Sequence, residues 1–431
     1  MPAPLLLVLA LSGAWGVASL ADAGEREEAF IGYSERALEC KDRLADCRGK
    51  SKHDGCLKDP YNLRTFCPIS CNVQRCLSSG TLKVRHKGFA SPLDTATYAQ
   101  RWVQSSGASE ASKHFKQREF AGKPLKLSSL GVGTYLGEPD SRTDEAVAAA
   151  LIYSVANGFN VIDTASSYRW GHAESSVGAA LDALLAGVSV GDFAQDGETS
   201  TDLTRSMLFI STKAGFVDEA LVRQLTKAFT ELETLRAAGS IRHYGLATWD
   251  CFRLPPGNPG HLDLQDVVAI AAEAAAAVSS GGAASGGQRS GFAAIQLPVS
   301  AEMSEAWREP WQALRNGTAT LMAAAEALGV AVFTSGPLGE GGLLGRLTSR
   351  LDDVVQLRAQ ATTAQKLLQL ARSTPGGAMA SALVGHKTRE FVVANCELAK
   401  ADPLQEVDFR RAMATVSNIL AGPQGGGVAA T

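Results

Sequence analysis

An aspartate, a tyrosine and a lysine stand where side chains could do chemistry. Asp163 ends the apolar stretch Asn160-Val161-Ile162-Asp163, which follows Gly158, and Tyr168 comes five residues later in a loop. Lys213 ends a second apolar stretch, Met207-Leu208-Phe209-Ile210-Ser211-Thr212-Lys213, just before Ala214-Gly215. Short apolar runs with this punctuation predict strands, and Gly158 predicts the end of a preceding helix. In a barrel of alternating strands and helices, the C-terminal strand ends and the loops after them form the working face. A carboxylate there holds an ammonium in place, and the ammonium lowers the pKa of a neighbouring phenol. Such a phenol can hand a proton to a carbonyl oxygen while a hydride arrives at the carbon. Any one of these residues alone reads as structural, a buried Asp or a surface Lys; their shared context points to chemistry.

The stretch Asp163-Thr164-Ala165-Ser166-Ser167-Tyr168-Arg169-Trp170-Gly171-His172-Ala173-Glu174 resembles the aldo-keto reductase family. In that family a strand ends in Asp-Thr-Ala and is followed by Tyr and an acidic helix start. The resemblance runs in order over residues 120–398. It implies an α/β fold, a TIM-type (β/α) barrel, with Asp163, Tyr168 and Lys213 as the catalytic set. It also implies NADPH as cofactor and a small-molecule carbonyl as substrate.

Composition agrees with a globular chain. At 431 residues the length suits two or three domains, or one barrel with additions. A net charge of −3 provides no basic footprint for nucleic acid and no field for anionic membranes. Residues 1–23 contain no Lys, Arg or Glu, run apolar through Leu5-Leu6-Leu7-Val8-Leu9-Ala10-Leu11, and close on Ala21-Asp22-Ala23. That pattern reads as a secretory signal peptide lacking its usual basic start, with an uncleaved anchor as the competing reading. It places the chain in the secretory pathway. No later run reaches the roughly 18 uncharged apolar residues of a membrane span, so stable membrane insertion is not expected.

Cys40, Cys47, Cys56, Cys67, Cys71 and Cys76 fall close together behind this segment. An even, dense set in a secreted stretch predicts a disulfide-stapled module at 40–76, and fifteen pairings are open by spacing alone. Zinc is the competing reading, but Cys-x-x-Cys pairs are missing. The spacing, with Asp42, Gly55, Pro60 and Ser70, resembles the ShKT module, which implies Cys40–Cys76, Cys47–Cys67 and Cys56–Cys71. The toxin members' Lys-Tyr pair is replaced by Tyr61 and Asn62, so a protein- or glycan-binding role is expected over channel block. Residues 77–112 read as a polar linker with a basic patch at 83–88, residues 113–421 as the barrel, and residues 422–431 as a disordered tail. Asn316-Gly317-Thr318 is an N-glycosylation sequon.

Within the barrel region, residues 113–127 predict a hairpin around Ala121-Gly122-Lys123-Pro124, which in the family plugs the barrel. Strands are expected at 131–135, 160–163, 207–213, 241–249, 292–298, 330–334 and 380–384. After Lys213 the sequence departs from the family: one helical stretch, 218–238, leads directly into Ile241-Arg242-His243-Tyr244-Gly245-Leu246-Ala247-Thr248-Trp249. The family's fourth strand, which supplies a catalytic histidine, has no counterpart there. Either this chain lacks one βα unit that its locus encodes, or the barrel has seven strands. In the second case the third and fifth strands pair directly, or leave ladder groups open. His172, on the loop after Tyr168, is a poor substitute, and His243 belongs at the opposite end of its strand.

The resemblance also implies the cofactor groove. Thr248 and Gln296 align with residues that hold the nicotinamide amide, and Ser335 stands where relatives often stack an aromatic ring. Leu338 and Gly339 lie in a Gly-rich loop whose backbone can approach a pyrophosphate. Gly385, Lys387 and Thr388 open a helix, a setting that suits a phosphate monoester and favours NADP over NAD. Asn395 completes the implied set, while Phe391 and Ala394 replace the usual adenine contacts. No metal site is expected. The runner-up reading is a non-catalytic secreted binding protein, a barrel carried beside the cysteine module.

Overall fold

A computed structural model describes residues 6–11, 86, 88–109, 112–120, 122–187, 203–217, 221–279, 289–315, 317–347, 351, 354–357 and 361–421. The six clustered cysteines, the sequon residue Asn316 and the tail lie outside the described residues, as does residues 1–23 apart from 6–11. Residues 4–13 and 87–431 form one compact unit.

That unit is a closed parallel barrel wrapped by helices. Its chain order begins with β1 (Leu6–Leu11) and α1 (Pro92–Ser106), then the antiparallel hairpin β2 (Phe115–Phe120) and β3 (Lys123–Ser128). The barrel continues through β4 (Leu130–Gly133), α2 (Ser141–Ala156), β5 (Val161–Asp163), α3 (His172–Leu185), β6 (Phe209–Val217), α4 (Leu221–Ala237) and β7 (His243–Thr248). Next come α5 (Leu264–Ser279), β8 (Phe292–Pro298), the short α6 (Glu305–Arg308) and a small ribbon of β9 (Gln312–Leu314) with β10 (Gly317–Ala319). The chain closes with α7 (Leu321–Leu328), β11 (Ala331–Ser335), α8 (Thr363–Arg372), β12 (Met379–Gly385), α9 (Arg389–Ala399) and α10 (Glu406–Ala421).

Around the barrel the order is β1-β6-β5-β4-β12-β11-β8-β7. Among the described residues, α4 is the only element between β6 and β7. Those two strands nevertheless neither pair directly nor leave an open slot, because β1 lies between them, parallel to both. The physical reason is the ladder: unpaired strand edges inside a barrel leave donors and acceptors without partners, and an extended apolar segment satisfies them.

The hairpin sits where the sequence places it, at the strand starts. Phe120 packs 5.1 Å from Phe209 and 6.2 Å from Phe333, and the last two rings stack at 5.3 Å. Asn160 ties this plug to β5: its Oδ1 accepts from the Ser128 amide at 2.9 Å and its Nδ2 donates to the Lys126 carbonyl at 2.8 Å. The starts of α2 and α8 follow side-chain capping rules. Asp140 accepts from the Thr143 amide at the head of α2, and Thr362 forms a reciprocal capping box with Gln365 on α8.

Residues 92–106, expected within a solvated linker, are a helix docked on the barrel. Ser91 caps it, Pro92 fills its first turn, and Gly107 ends it at φ 71°. The reason is its apolar face: Tyr98 and Trp102 are buried, with Tyr98 donating to the Val155 carbonyl and Trp102 Nε1 to the Asn157 carbonyl at 3.0 Å. The indole lies over Gly158, which has φ +101° and where a Cβ would fall 2.4 Å from Trp102 Nε1. Gly158→Ala therefore combines left-handed strain with displacement of the indole. A loss of about 2–4 kcal/mol in urea-unfolding free energy is expected; an unchanged midpoint would count against this packing.

Candidate functional site

Asp163, the last residue of β5, is in register with Ser211 near the start of β6, which runs on past Lys213, its expected end, to Val217. Side chains alternate along a strand, so Ser211 and Lys213 face the same way. Ser211 Oγ donates to Asp163 Oδ1 at 2.7 Å, and Lys213 Nζ reaches Asp163 Oδ2 at 2.6 Å. Gln296 Nε2 on β8 adds a long contact of 3.5 Å to the same oxygen. Both members of the ion pair are buried, at 3% and 5% exposure, so each charge depends on the other for compensation.

The loop after β5 is strapped to β6: the Thr164 amide donates to the Ser211 carbonyl at 2.9 Å and the Ser166 amide to the Lys213 carbonyl at 3.2 Å. This strap carries Tyr168 over Lys213, whose Nζ lies 4.7 Å from the phenol ring centre. Lys213 Nζ also donates to the Thr164 carbonyl at 3.1 Å. Asp163, Tyr168 and Lys213 thus meet at one rim.

Their electrostatics depart from expectation in one respect. The Tyr168 phenol is pushed above its usual pKa: burial raises it most, Lys213 pulls it down, and Asp163 pushes it up again. The sequence reading had the ammonium lowering it overall. Burial outweighs that pull, and the carboxylate beside the ammonium offsets much of its field. Burial opposes the charged form of Lys213, but Asp163 and Tyr168 outweigh it and hold the amine above its ordinary range. At neutral pH the pair is therefore a protonated phenol beside a protonated amine.

Arg169 is the residue that sequence reasoning missed. It has φ 46° and Trp170 has φ 57°, left-handed conformations that side-chain-bearing residues rarely adopt. The Arg169 guanidinium is buried and donates to Asp144 Oδ1 at 2.6 Å and to Ser176 Oγ at 2.9 Å. These contacts clamp the turn after Tyr168 to α2 and α3 and offset its strain. Nothing in the sequence announces a partner for Arg169 twenty-five residues upstream. His172 belongs to the same clamp, its Nδ1 lying 2.6 Å from Asp144 Oδ2.

The expected cofactor residues divide into three groups. Thr248, at the end of β7, uses its hydroxyl to accept from the Cys251 amide at 2.9 Å, and the Gln296 amide turns toward Asp163. Leu338 and Gly339 lie in a tight loop after β11, with φ +59° at Gly336 and +55° at Gly339. Gly385 ends β12, Lys387 is exposed, and Thr388 occupies the N-cap of α9 without making a capping bond. The buried Thr388 Oγ1 has no hydrogen-bond partner among the described residues. Asn395 stands apart from these: its Nδ2 donates to His386 Nε2 at 2.9 Å, inside the packing between β12 and α9. His386 Nδ1 in turn lies 2.8 Å from Ser154 Oγ. That buried network depends on the packing of α2 against α9.

The mouth of the site is apolar. Tyr135 stands edge-on to Tyr168 with ring centres 5.1 Å apart, and Tyr135, Leu136 and Trp170 are exposed. His243 begins β7 at the far end, 6.1 Å from Phe120.

Residues 129–225 match the family model described as the aldo/keto reductase family. The match spans β4 through the start of α4, and so includes Asp163, Tyr168 and Lys213. No curated protein matches the chain. Among solved structures, the chain is similar to an aldo/keto reductase from Klebsiella pneumoniae in complex with NADP and acetate, at 20% identity and TM-score 0.47, covering 70% of this chain and 95% of that one. It is also similar to the holo form of an aldo-keto reductase from Bacillus halodurans, at 19% identity and TM-score 0.45, covering 71% and 97%. A third similar structure is an aldo/keto reductase from Brucella melitensis, at 14% identity and TM-score 0.44, covering 70% and 99%. Among the described residues, no helix is long and apolar enough to cross a membrane.

Proposed function

We propose that the chain reduces an aldehyde or ketone to an alcohol with NADPH. The carrying observation is the buried Asp163–Lys213 pair beneath the Tyr168 phenol at the C-terminal rim of a parallel barrel. A cofactor phosphate fits the residues at the head of α9: an orphaned Thr388 hydroxyl and the Lys387 ammonium stand at the positive end of an eleven-residue helix. Backbone of the Gly336–Gly339 turn is the candidate support for a pyrophosphate. Thr248 and Gln296 would hold the nicotinamide amide at the other end.

When bound, NADPH supplies the hydride. Tyr168, kept protonated by burial, donates its proton to the carbonyl oxygen as that oxygen gains charge. The Lys213 ammonium then faces a phenolate, whose charge it stabilises, and Asp163 keeps the ammonium aimed there. The phenolate recovers its proton from solvent. The exposed Tyr135, Leu136 and Trp170 favour an apolar or aromatic carbonyl at the mouth.

One observation favours the second reading, a non-catalytic binding barrel. The slot between β6 and β7, from which the family brings its histidine, holds β1, whose last residue Leu11 is in register with Thr248. No imidazole enters with it, since residues 4–13 contain no histidine.

Fluorescence titration with NADPH, followed by turnover of a reactive aromatic aldehyde, separates the two. Saturable binding with turnover supports reduction; binding without turnover supports the second reading; absence of binding overturns the NADPH assignment. Lys387→Ala is expected to raise the NADPH dissociation constant about tenfold while leaving NADH nearly unaffected, because only the former carries the 2′-phosphate. Equal effects on both would remove Lys387 from the phosphate site.

A further inference from the structure

The strand β1 occupies a place that the sequence leaves vacant. Along the chain, α4 passes to β7 with no strand between, so one edge of β6 and one edge of β7 face a gap. Leu6–Leu11 fills it in parallel. Leu6 to Leu11 run in unbroken register with His243 to Thr248 on β7. On the other side Leu6, Leu7 and Val8 are in register with Ser211, Thr212 and Lys213, and after a shift Ala10 and Leu11 pair with Phe216 and Val217. The β7 edge is therefore paired along the whole segment and the β6 edge along all of it but Leu9, where the register shifts, and the barrel closes.

These are the same residues whose apolar run reads as the core of a secretory leader. The two uses exclude each other within one molecule: removal of the chain before Gly24 would take β1 away and reopen both ladders. Reopening is costly, because β6 carries Lys213 and β7 carries Thr248, and an unpaired parallel edge has no other partner among the described strands.

We propose that residues 6–11 are retained as the eighth barrel strand, substituting from the N-terminus for the strand missing between β6 and β7. The segment docks on its own chain, and it braces the strand that presents Lys213. It ends in Leu11 and contains no histidine, so it restores the barrel without restoring an imidazole. That last consequence rests on the carbonyl-reductase reading; the docking itself does not, and its test uses neither coenzyme nor turnover.

The full-length chain and its Val8→Pro and Val8→Leu variants provide the test. Every interior residue of a central strand donates its amide to one neighbour or the other, so Val8→Pro deletes a ladder bond whichever way Val8 faces. A fall of about 10 °C in melting temperature is expected for Val8→Pro, with Val8→Leu within about 2 °C of the parent. Melting of Val8→Pro within about 2 °C of the parent would overturn the proposal. Hydrogen exchange on the unsubstituted chain gives a readout independent of whether the proline variant folds. Amides of 6–11 are expected to be protected to the same degree as those of β6 and β7, and free exchange there would overturn it. Intact mass of the folded protein is expected to include residues 6–11; a folded barrel whose chain begins at Gly24 would also sink the idea.

Discussion

Tyr168→Phe is expected to lower turnover of an aromatic aldehyde by about 10²- to 10⁴-fold while leaving NADPH affinity and melting temperature nearly unchanged. The substitution removes only the proton that the carbonyl oxygen needs. It leaves the buried pair intact, with Lys213 Nζ still 2.6 Å from Asp163 and still donating to the Thr164 carbonyl. Asp163→Asn behaves differently. It strands a buried ammonium, so about 3–5 kcal/mol of stability goes with the activity. The contrast between a rate loss without unfolding and a rate loss with it separates the acid from the group that positions its neighbour. The pH dependence follows from the raised phenol. The acid form does the work, so the rate holds on the alkaline side through the ordinary tyrosine range and falls only above it. A Tyr168→Phe protein with the parent's rate would remove this residue from the reaction.

Acidification is expected to destabilise the fold steeply below pH 6.5, through His114, His386 and His243, the last lowered to about 4 mainly by burial. Burial lowers His114 to about 3, with Arg372 adding to the effect. Burial alone lowers His386 to about 3. Both rings are used as neutral hydrogen-bonding groups. His114 bridges Ser129 Oγ at 3.0 Å and the Gly158 carbonyl at 2.9 Å, holding the hairpin against the end of α2. His386 bridges Ser154 and Asn395, holding β12 between α2 and α9. The unfolded chain takes up these protons near pH 6.5 while the folded chain refuses them until about pH 3. Stability is thus complete above pH 6.5 and declines as pH falls, by about 1.4 kcal/mol per pH unit for each ring. Urea unfolding at pH 7.0, 6.0 and 5.0 checks this, and His386→Gln should remove one ring's share of the slope. A free energy of unfolding that stays level from pH 7 to 5 would contradict the buried neutral state.

Much of the barrel was legible because its signals are local. Gly158 ends α2 as the punctuation suggests, and the apolar runs at 160–163 and 207–213 fall on β5 and β6. Asp163 and Lys213 could be paired in advance because alternation along two adjacent parallel strands aims both side chains at one rim. The docked α1 was not legible. Its polar composition resembles a linker, and what holds it is a pair of hydrogen bonds from Tyr98 and Trp102 to carbonyls on another helix. Arg169 was equally hidden, since a left-handed arginine is stable only where a distant Asp144 receives it.

The sequence by itself determined the alternation of strands and helices, Asp163 at the end of one strand, Tyr168 in the loop after it and Lys213 on the next strand, and the lack of an apolar run between 218 and 240. Those follow from periodicity and punctuation within a few residues. Only the tertiary structure decided that burial outweighs Lys213 at the Tyr168 phenol, that Asn395 serves His386, and that Leu6–Leu11 stands between β6 and β7. Each of these is a competition among groups far apart in the chain, and its outcome depends on which surfaces close against one another.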